Sequence, residues 1–197
     1  MSSQVHQLVV TGPPGVGKTT LIKSVCDWLQ RERPSYRIGG FYTEETRDHT
    51  GRRSGFKVVS LPDGLSASLA STAPSANGPK VGKYSVTVQD FERVALPPFS
   101  NIDDVDVLVL DELGKMESYS TQFCNLFLDW LHSPNRRAFL LATVPNKTNV
   151  QQHLQIVKHA INIDPDRNRA LFQLTLSNRN QAIEQICARI DNIMKTK

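Results

Sequence analysis

Between residues 12 and 19 the chain reads Gly12-Pro13-Pro14-Gly15-Val16-Gly17-Lys18-Thr19. Glycine, four residues, then Gly-Lys-[Ser/Thr] is the P-loop pattern, and each residue type in it has a mechanical reason. The glycines let the backbone curl so that successive N–H groups face a phosphate. Lys18 adds a mobile positive charge, and the hydroxyl of Thr19 is a hard oxygen suited to a divalent cation. Such a loop works only between a buried strand and the first turn of a helix, whose N-terminus adds partial positive charge. Both flanks are present. Gln7 to Val10 is a short apolar run, and from Thr20 to Arg31 the residues Leu21, Ile22, Val25, Trp28 and Leu29 recur at helical spacing. The phosphate contacts expected here are Gly12, Pro13, Pro14, Gly15, Val16, Gly17, Lys18, Thr19 and Thr20.

The same alternation returns later. Val105 to Leu110, Ala138 to Val144 and Leu171 to Leu176 read as strands. Between and after them, Ser120 to His132, Thr148 to Ala160 and Asn178 to Met194 read as helices. Uniformly apolar strands alternating with helices predict an α/β fold, a parallel sheet buried on both faces by helices. The middle of the chain differs. Gly40 to Thr43, Ser54 to Ser60 and Lys83 to Thr87 are short β-type segments, with turns at Asp48 to Gly51 and Pro62 to Gly64. Ser71 to Lys80 is expected to be an exposed loop. The 197 residues thus read as one domain carrying a small, β-rich antiparallel insertion over about residues 38–100.

A P-loop needs an acidic partner for its metal. Val107-Leu108-Val109-Leu110-Asp111 is an apolar strand ending in Asp, the Walker B pattern. Asp111 and Thr19 are therefore the expected ligands of Mg²⁺. Glu112 follows directly, where a carboxylate can orient a water for attack on the terminal phosphate. Lys115 is a candidate for leaning on the developing phosphate charge. Thr143, at a strand end, is a candidate sensor of that phosphate, and Arg179 a candidate neighbour of the base. Nucleotide contact is expected along Val107, Leu108, Val109, Leu110, Asp111, Glu112, Leu113 and Gly114.

Other classes fit less well. Asp111-Glu112-Leu113-Gly114 also matches D-x-x-G, and Asn146-Lys147-Thr148-Asn149 resembles the guanine-reading N-K-x-D. The last position is an amide rather than a carboxylate, so the two N–H bonds that guanine offers find a poorer acceptor. Lys115 also stands where a switch GTPase has its water-orienting glutamine. A nucleotide or small-molecule kinase is the stronger rival, with Arg47, Arg52 and Arg53 as lid candidates. A glutamate directly after the Walker B Asp favours water as the acceptor. A non-catalytic binding module has little use for that acid.

Composition adds exclusions. A net charge of +4, without a basic tail, gives nucleic-acid binding weak support. Cys26, Cys124 and Cys187 are scattered and form no C-x-x-C, so reduced thiols and a cytoplasmic location are expected, with the nucleus not excluded. His153 and His159 are spaced wrongly for zinc. No leader pattern or membrane-spanning run of ~20 apolar residues is visible. A monomer or weak homo-oligomer is expected.

The chain also resembles the THEP1 family of nucleoside-triphosphatases. The likeness lies in Gly12 to Leu21, Gly40-Phe41-Tyr42-Thr43-Glu44-Glu45, Gly51 to Phe56, Val81 to Tyr84 and Asp111-Glu112-Leu113-Gly114-Lys115-Met116-Glu117. It continues in Thr143-Val144-Pro145 and Asn178-Arg179-Asn180. The resemblance implies a RecA-like P-loop fold and Mg²⁺-dependent hydrolysis of NTPs, such as ATP and GTP, to NDP and phosphate with broad base selectivity.

Overall fold

The computed structural model describes residues 7–73, 77–146, 155–161 and 169–194. The expected guanine-like run at 147–149, the first half of the helix expected from Thr148, His153, and the middle of the 71–80 loop lie outside them. The described strands form one nine-stranded sheet in the order β5-β6-β4-β3-β2-β7-β8-β1-β9. They are β1 (Gln7–Thr11), β2 (Ile38–Arg47), β3 (Arg53–Leu61), β4 (Ser66–Ser71), β5 (Lys80–Val81), β6 (Tyr84–Val86), β7 (Val107–Leu110), β8 (Phe139–Val144) and β9 (Arg169–Gln173). The helices are α1 (Lys18–Glu32), α2 (Val88–Ala95), α3 (Pro97–Ser100), α4 (Thr121–His132), α5 (Gln155–Ile161) and α6 (Arg179–Met194).

Five strands, β2-β7-β8-β1-β9, run parallel. As in the RecA-like arrangement expected, the strand after which the P-loop begins and the strand that ends at Asp111 are not neighbours. β8 lies between them. The pleat sorts side chains onto two faces. Leu108, Leu110, Leu140 and Ala142 meet α2, α3, α4 and α5 on one face. Leu8, Val10, Val107, Val109, Phe139 and Leu141 meet α1 and α6 on the other. Each parallel strand is therefore apolar on both sides, which is why its sequence shows no alternation.

The central segments join this same sheet instead of standing apart. β2 pairs in parallel with β7 over Ile38 to Phe41, and antiparallel with β3 over Gly40 to Arg47. β4 and α2 are absent from the sequence reading. β4 is Ser-Ala-Ser-Leu-Ala-Ser, poor in β-branched residues, and takes its place through antiparallel pairing with β3 and β6. α2 is only eight residues long, yet buries Phe91, Val94 and Ala95 on one side. The residues after it, Pro97 and Pro98, start α3, where missing N–H groups cost nothing. α4 begins as expected, with Ser120 as its cap accepting a bond from the Phe123 N–H at 3.0 Å.

Phe123 is the centre of the larger core. Phe41, Phe91 and Phe99 meet its ring edge-on, with centroids 5.2–5.8 Å away, and Phe127 stacks on it at 6.3 Å. This cluster ties β2 to α2, α3 and α4. Phe123→Ala is expected to lower stability by ~3–5 kcal/mol. The check is a shift to lower urea in the unfolding midpoint with an unchanged slope.

Candidate active site

The P-loop leaves β1 where Thr11 is held at both ends. Its hydroxyl donates to the Pro145 carbonyl at 3.0 Å, and its own carbonyl accepts from the Leu174 N–H at 2.7 Å. A side chain on Gly12 would begin 2.5 Å from the Leu174 carbonyl oxygen, so only glycine passes there. Gly17 caps α1 with φ 107°, a left-handed conformation that glycine adopts without a steric penalty. No acidic residue occupies the first turn of α1, which keeps the helix N-terminus favourable for an anion. Lys18 reaches back across the loop, its Nζ donating to the Gly12 carbonyl at 3.1 Å.

Asp111 lies at the end of β7 with no exposed surface. Thr143, one strand over at the end of β8, donates its hydroxyl to Asp111 Oδ1 at 2.5 Å. The Thr43 N–H from β2 approaches Oδ2 at 3.5 Å, a long contact. Burial pushes the Asp111 carboxyl above the usual carboxylate range. Hydrogen bonds from Thr143, Thr19 and Thr43, and the charge of Lys18, work against that rise. Glu112, joined to Asp111 by a cis peptide, is partly exposed and faces the P-loop cavity. Burial raises its carboxyl too, with Lys18 opposing and Asp111 adding to the effect.

The P-loop and Glu112 share one cavity of about 580 Å³, whose wall does not include the buried Asp111 and Thr143. The P-loop supplies Gly12, Pro14, Gly15, Gly17, Lys18 and Thr19, and Thr20 follows them. Glu112, Pro145 and Asn146 come from the neighbouring strand ends. Of the other expected contacts, Val107 to Leu110 have no exposed surface. They form the strand that carries the acids. Val16 and Leu113 are core residues, and Gly114 is buried. Pro13 is exposed but off the cavity wall, and so is Lys115. Arg179 lines a smaller neighbouring cavity of about 290 Å³ with Gly17, Thr20, Leu174 and Asn180.

The opposite wall comes from β2, β3 and α1, and most of it is invisible in the sequence. Thr43, Glu44, Glu45, Arg53, Phe56 and Lys23 all face the P-loop cavity. Glu44 pairs with both Lys23, at 2.5 Å, and Lys57, at 2.8 Å, which joins α1 to the two strands. Hydrogen bonds from those two lysines hold its carboxyl below the usual range. Arg53, one of three arginines considered for a lid, is ion-paired with Glu45 and stands over the Phe56 ring. The family likeness marks Gly40 to Glu45 and Gly51 to Phe56, but no local rule places them in this wall. It exists because antiparallel pairing folds β3 back along β2.

A second unforeseen residue is Glu117. It is 4% exposed, and it accepts a bond from the Gly114 N–H at 3.0 Å. Burial, with the negative charge of Glu112 adding, pushes its carboxyl up to about 8.

A phosphate-binding loop after β1, a buried Asp and a cavity-facing Glu at the end of β7, and a threonine on the strand between them define a P-loop NTPase. Comparison with known proteins narrows this class. The family described as NTPase matches residues 7–187. The chain is 37% identical over 190 residues to nucleoside-triphosphatase THEP1 of Pyrococcus abyssi, covering 94% of this chain and 92% of that one. It is 34% identical over 202 residues to the human cancer-related nucleoside-triphosphatase, covering 96% and 99%. The crystal structure of THEP1 from Aquifex aeolicus superposes with a TM-score of 0.72 at 30% identity, over 93% of this chain and 98% of that one. The chain belongs to the THEP1 family of nucleoside-triphosphatases.

Glu117 gives a pH prediction. Its folded carboxyl titrates near 8, against an ordinary 4.5. Between those values the folded state holds a proton that the unfolded state releases. The stability Glu117 contributes is therefore complete below about pH 4.5 and is lost as pH rises toward 8. Glu117→Gln removes the titration. The wild type should lose stability relative to this variant between pH 5 and pH 8, by up to ~1.4 kcal/mol per unit. Urea unfolding of both proteins across that range measures the difference.

Proposed function

We propose that this enzyme is a Mg²⁺-dependent hydrolase of nucleoside triphosphates with broad base selectivity, cleaving the β–γ phosphoanhydride to release NDP and phosphate. The observation that carries the reading is a single cavity in which Lys18 and Thr19 face Glu112. The donor chemistry suits the metal. Thr19 and Asp111 are hard oxygen donors, Thr19 is near enough to counter the rise of the Asp111 carboxyl, and Mg²⁺ is held by one or two carboxylates together with substrate phosphates. Bound there, the metal supplies charge neutralisation at the β- and γ-phosphates.

The chain's own residues do the remainder. Backbone N–H groups from Gly15 to Thr19 and the ammonium of Lys18 grip the phosphates. Lys18 exchanges its bond to the Gly12 carbonyl for one to a phosphate oxygen. Thr143 fixes one oxygen of Asp111 and so aims the other. Glu112 accepts a hydrogen bond from the attacking water and lines it up with the γ-phosphorus. Its raised carboxyl brings its basicity nearer to that of a working general base. Broad selectivity is supported by where these groups sit, around the phosphates that every NTP shares. Cys26, Cys124 and Cys187 are free thiols whose burial raises them to about 12, 11 and 11. Three cysteines without a disulfide support the cytoplasmic location read from the sequence.

Incubation with ATP, GTP, CTP and UTP in turn, with and without Mg²⁺, should release free phosphate from all four without any acceptor. Phosphoryl transfer only to an added acceptor would move the reading to a kinase. Glu112→Gln should keep nucleotide affinity within about threefold while kcat falls by about 10²–10⁴. Lys18→Ala should weaken nucleotide binding itself, seen by titration with a fluorescent analogue.

A further inference from the structure

Glu117 is the one buried acid of this region that the reaction above leaves unused. It opens the short 3₁₀ turn Glu117–Tyr119, and among the described residues no cation pairs with it. A buried carboxylate without a counter-charge is strongly disfavoured in its ionised form. The environment therefore keeps this side chain as a neutral acid.

Its position gives it a task. Glu112 sits in a turn fastened on both sides. Before it, the Asp111 N–H donates to the Phe41 carbonyl at 3.1 Å. After it, the Leu113 N–H donates to the Thr143 carbonyl at 2.8 Å. Next comes Gly114, whose carbonyl accepts from the Ser118 hydroxyl at 2.6 Å and whose N–H donates to Glu117 Oε2 at 3.0 Å. Glu117 is the side chain that satisfies this N–H from beneath. The two acids also converge. A methyl group placed on Gly114 would lie 3.1 Å from Glu117 Oε2 and 3.9 Å from Glu112 Oε1. Glu112 and Glu117 thus border the same side of Gly114.

We infer that Glu117 is a positioning residue for hydrolysis: its buried carboxyl, bonded to the Gly114 N–H, fixes the turn that carries Glu112 and so sets where Glu112 meets the attacking water. The inference rests on Glu112 being the group that orients that water. Glu117 touches no substrate. Its effect passes through the placement of Glu112, where an error of 1 Å costs about 10² in rate. A neutral acid suits the task because it accepts the N–H bond without placing a second negative charge beside Glu112.

The test uses Glu117→Ala, Glu117→Asp and Glu117→Gln, each made alone and combined with Glu112→Gln. Phosphate release from MgATP gives kcat and KM, and circular dichroism confirms folding. Glu117→Gln keeps an oxygen acceptor of the right reach and should retain kcat within about threefold. Glu117→Asp withdraws the acceptor by one methylene, and Glu117→Ala removes it. Both should lower kcat by about 30-fold or more, with KM within about threefold. In the Glu112→Gln background the same changes should cost less than about threefold further, because the group being positioned is gone. If Glu117→Ala does not fold, the contrast between Asp and Gln decides. Unchanged kcat in the Asp and Ala variants, while Glu112→Gln is inactive, overturns the positioning role and leaves the assignment of Glu112 standing. Equal losses in both backgrounds also overturn it. Full activity in Glu112→Gln instead removes Glu112 from the reaction, and the role of Glu117 with it.

Discussion

Parallel pairing of β7, β8 and β1 is the constraint on which the site depends. Its register sets Val10 beside Thr143 and Leu110 beside Ala142, so all three strands end at one edge of the sheet. Asp111 then emerges next to Thr143, and the P-loop emerges one strand further on. A slip of one residue would turn every side chain of a strand to the other face. Asp111 would lose its bond to Thr143, and the apolar residues that now meet the helices would exchange layers. The two cores above and below the sheet hold this register, and so hold the geometry of the candidate site.

β2 extends that edge into a cavity. Its first residues belong to the parallel sheet, where Phe41 anchors it in the aromatic cluster around Phe123. Its later residues run out past the edge, paired with β3. This overhang brings Thr43, Glu44 and Glu45, with Arg53 and Phe56 of β3, across from the P-loop. Lys23 of α1 and Lys57 of β3 converge on Glu44 and tie the overhang to the helix that the P-loop begins. These pairs are partly solvated, so they contribute more to the position of the wall than to net stability.

Three acids lie within one short stretch, and their surroundings give them different character. Asp111 is wholly buried but surrounded by donors from Thr143, Thr19 and Thr43. Glu112 reaches the cavity and feels Lys18 directly. Glu117 is buried, accepts a backbone N–H from Gly114, and is pushed up to about 8. Carboxylates of the same type thus become a metal-ligand candidate, a base candidate and a neutral brace through burial and neighbours alone.

The sequence by itself determined the α/β fold, the P-loop and the strand that ends in Asp111 and Glu112. These rest on local rules. Closely spaced glycines, a lysine and an apolar run before a helix act within a few residues of one another. The same rules marked Ser120 as the start of α4 and the turns at Asp48 and Pro62. They overlooked β4 and α2, whose propensities are weak and whose stability comes from neighbours in space. Only the tertiary structure decided that the central strands continue the main sheet, that Val107 to Leu110 lie wholly inside it, and that Glu44, Arg53 and Phe56 face the P-loop. It alone showed that Glu117 is buried beneath the turn carrying Glu112. Such facts come from long-range pairing and desolvation, and no spacing along the chain encodes either.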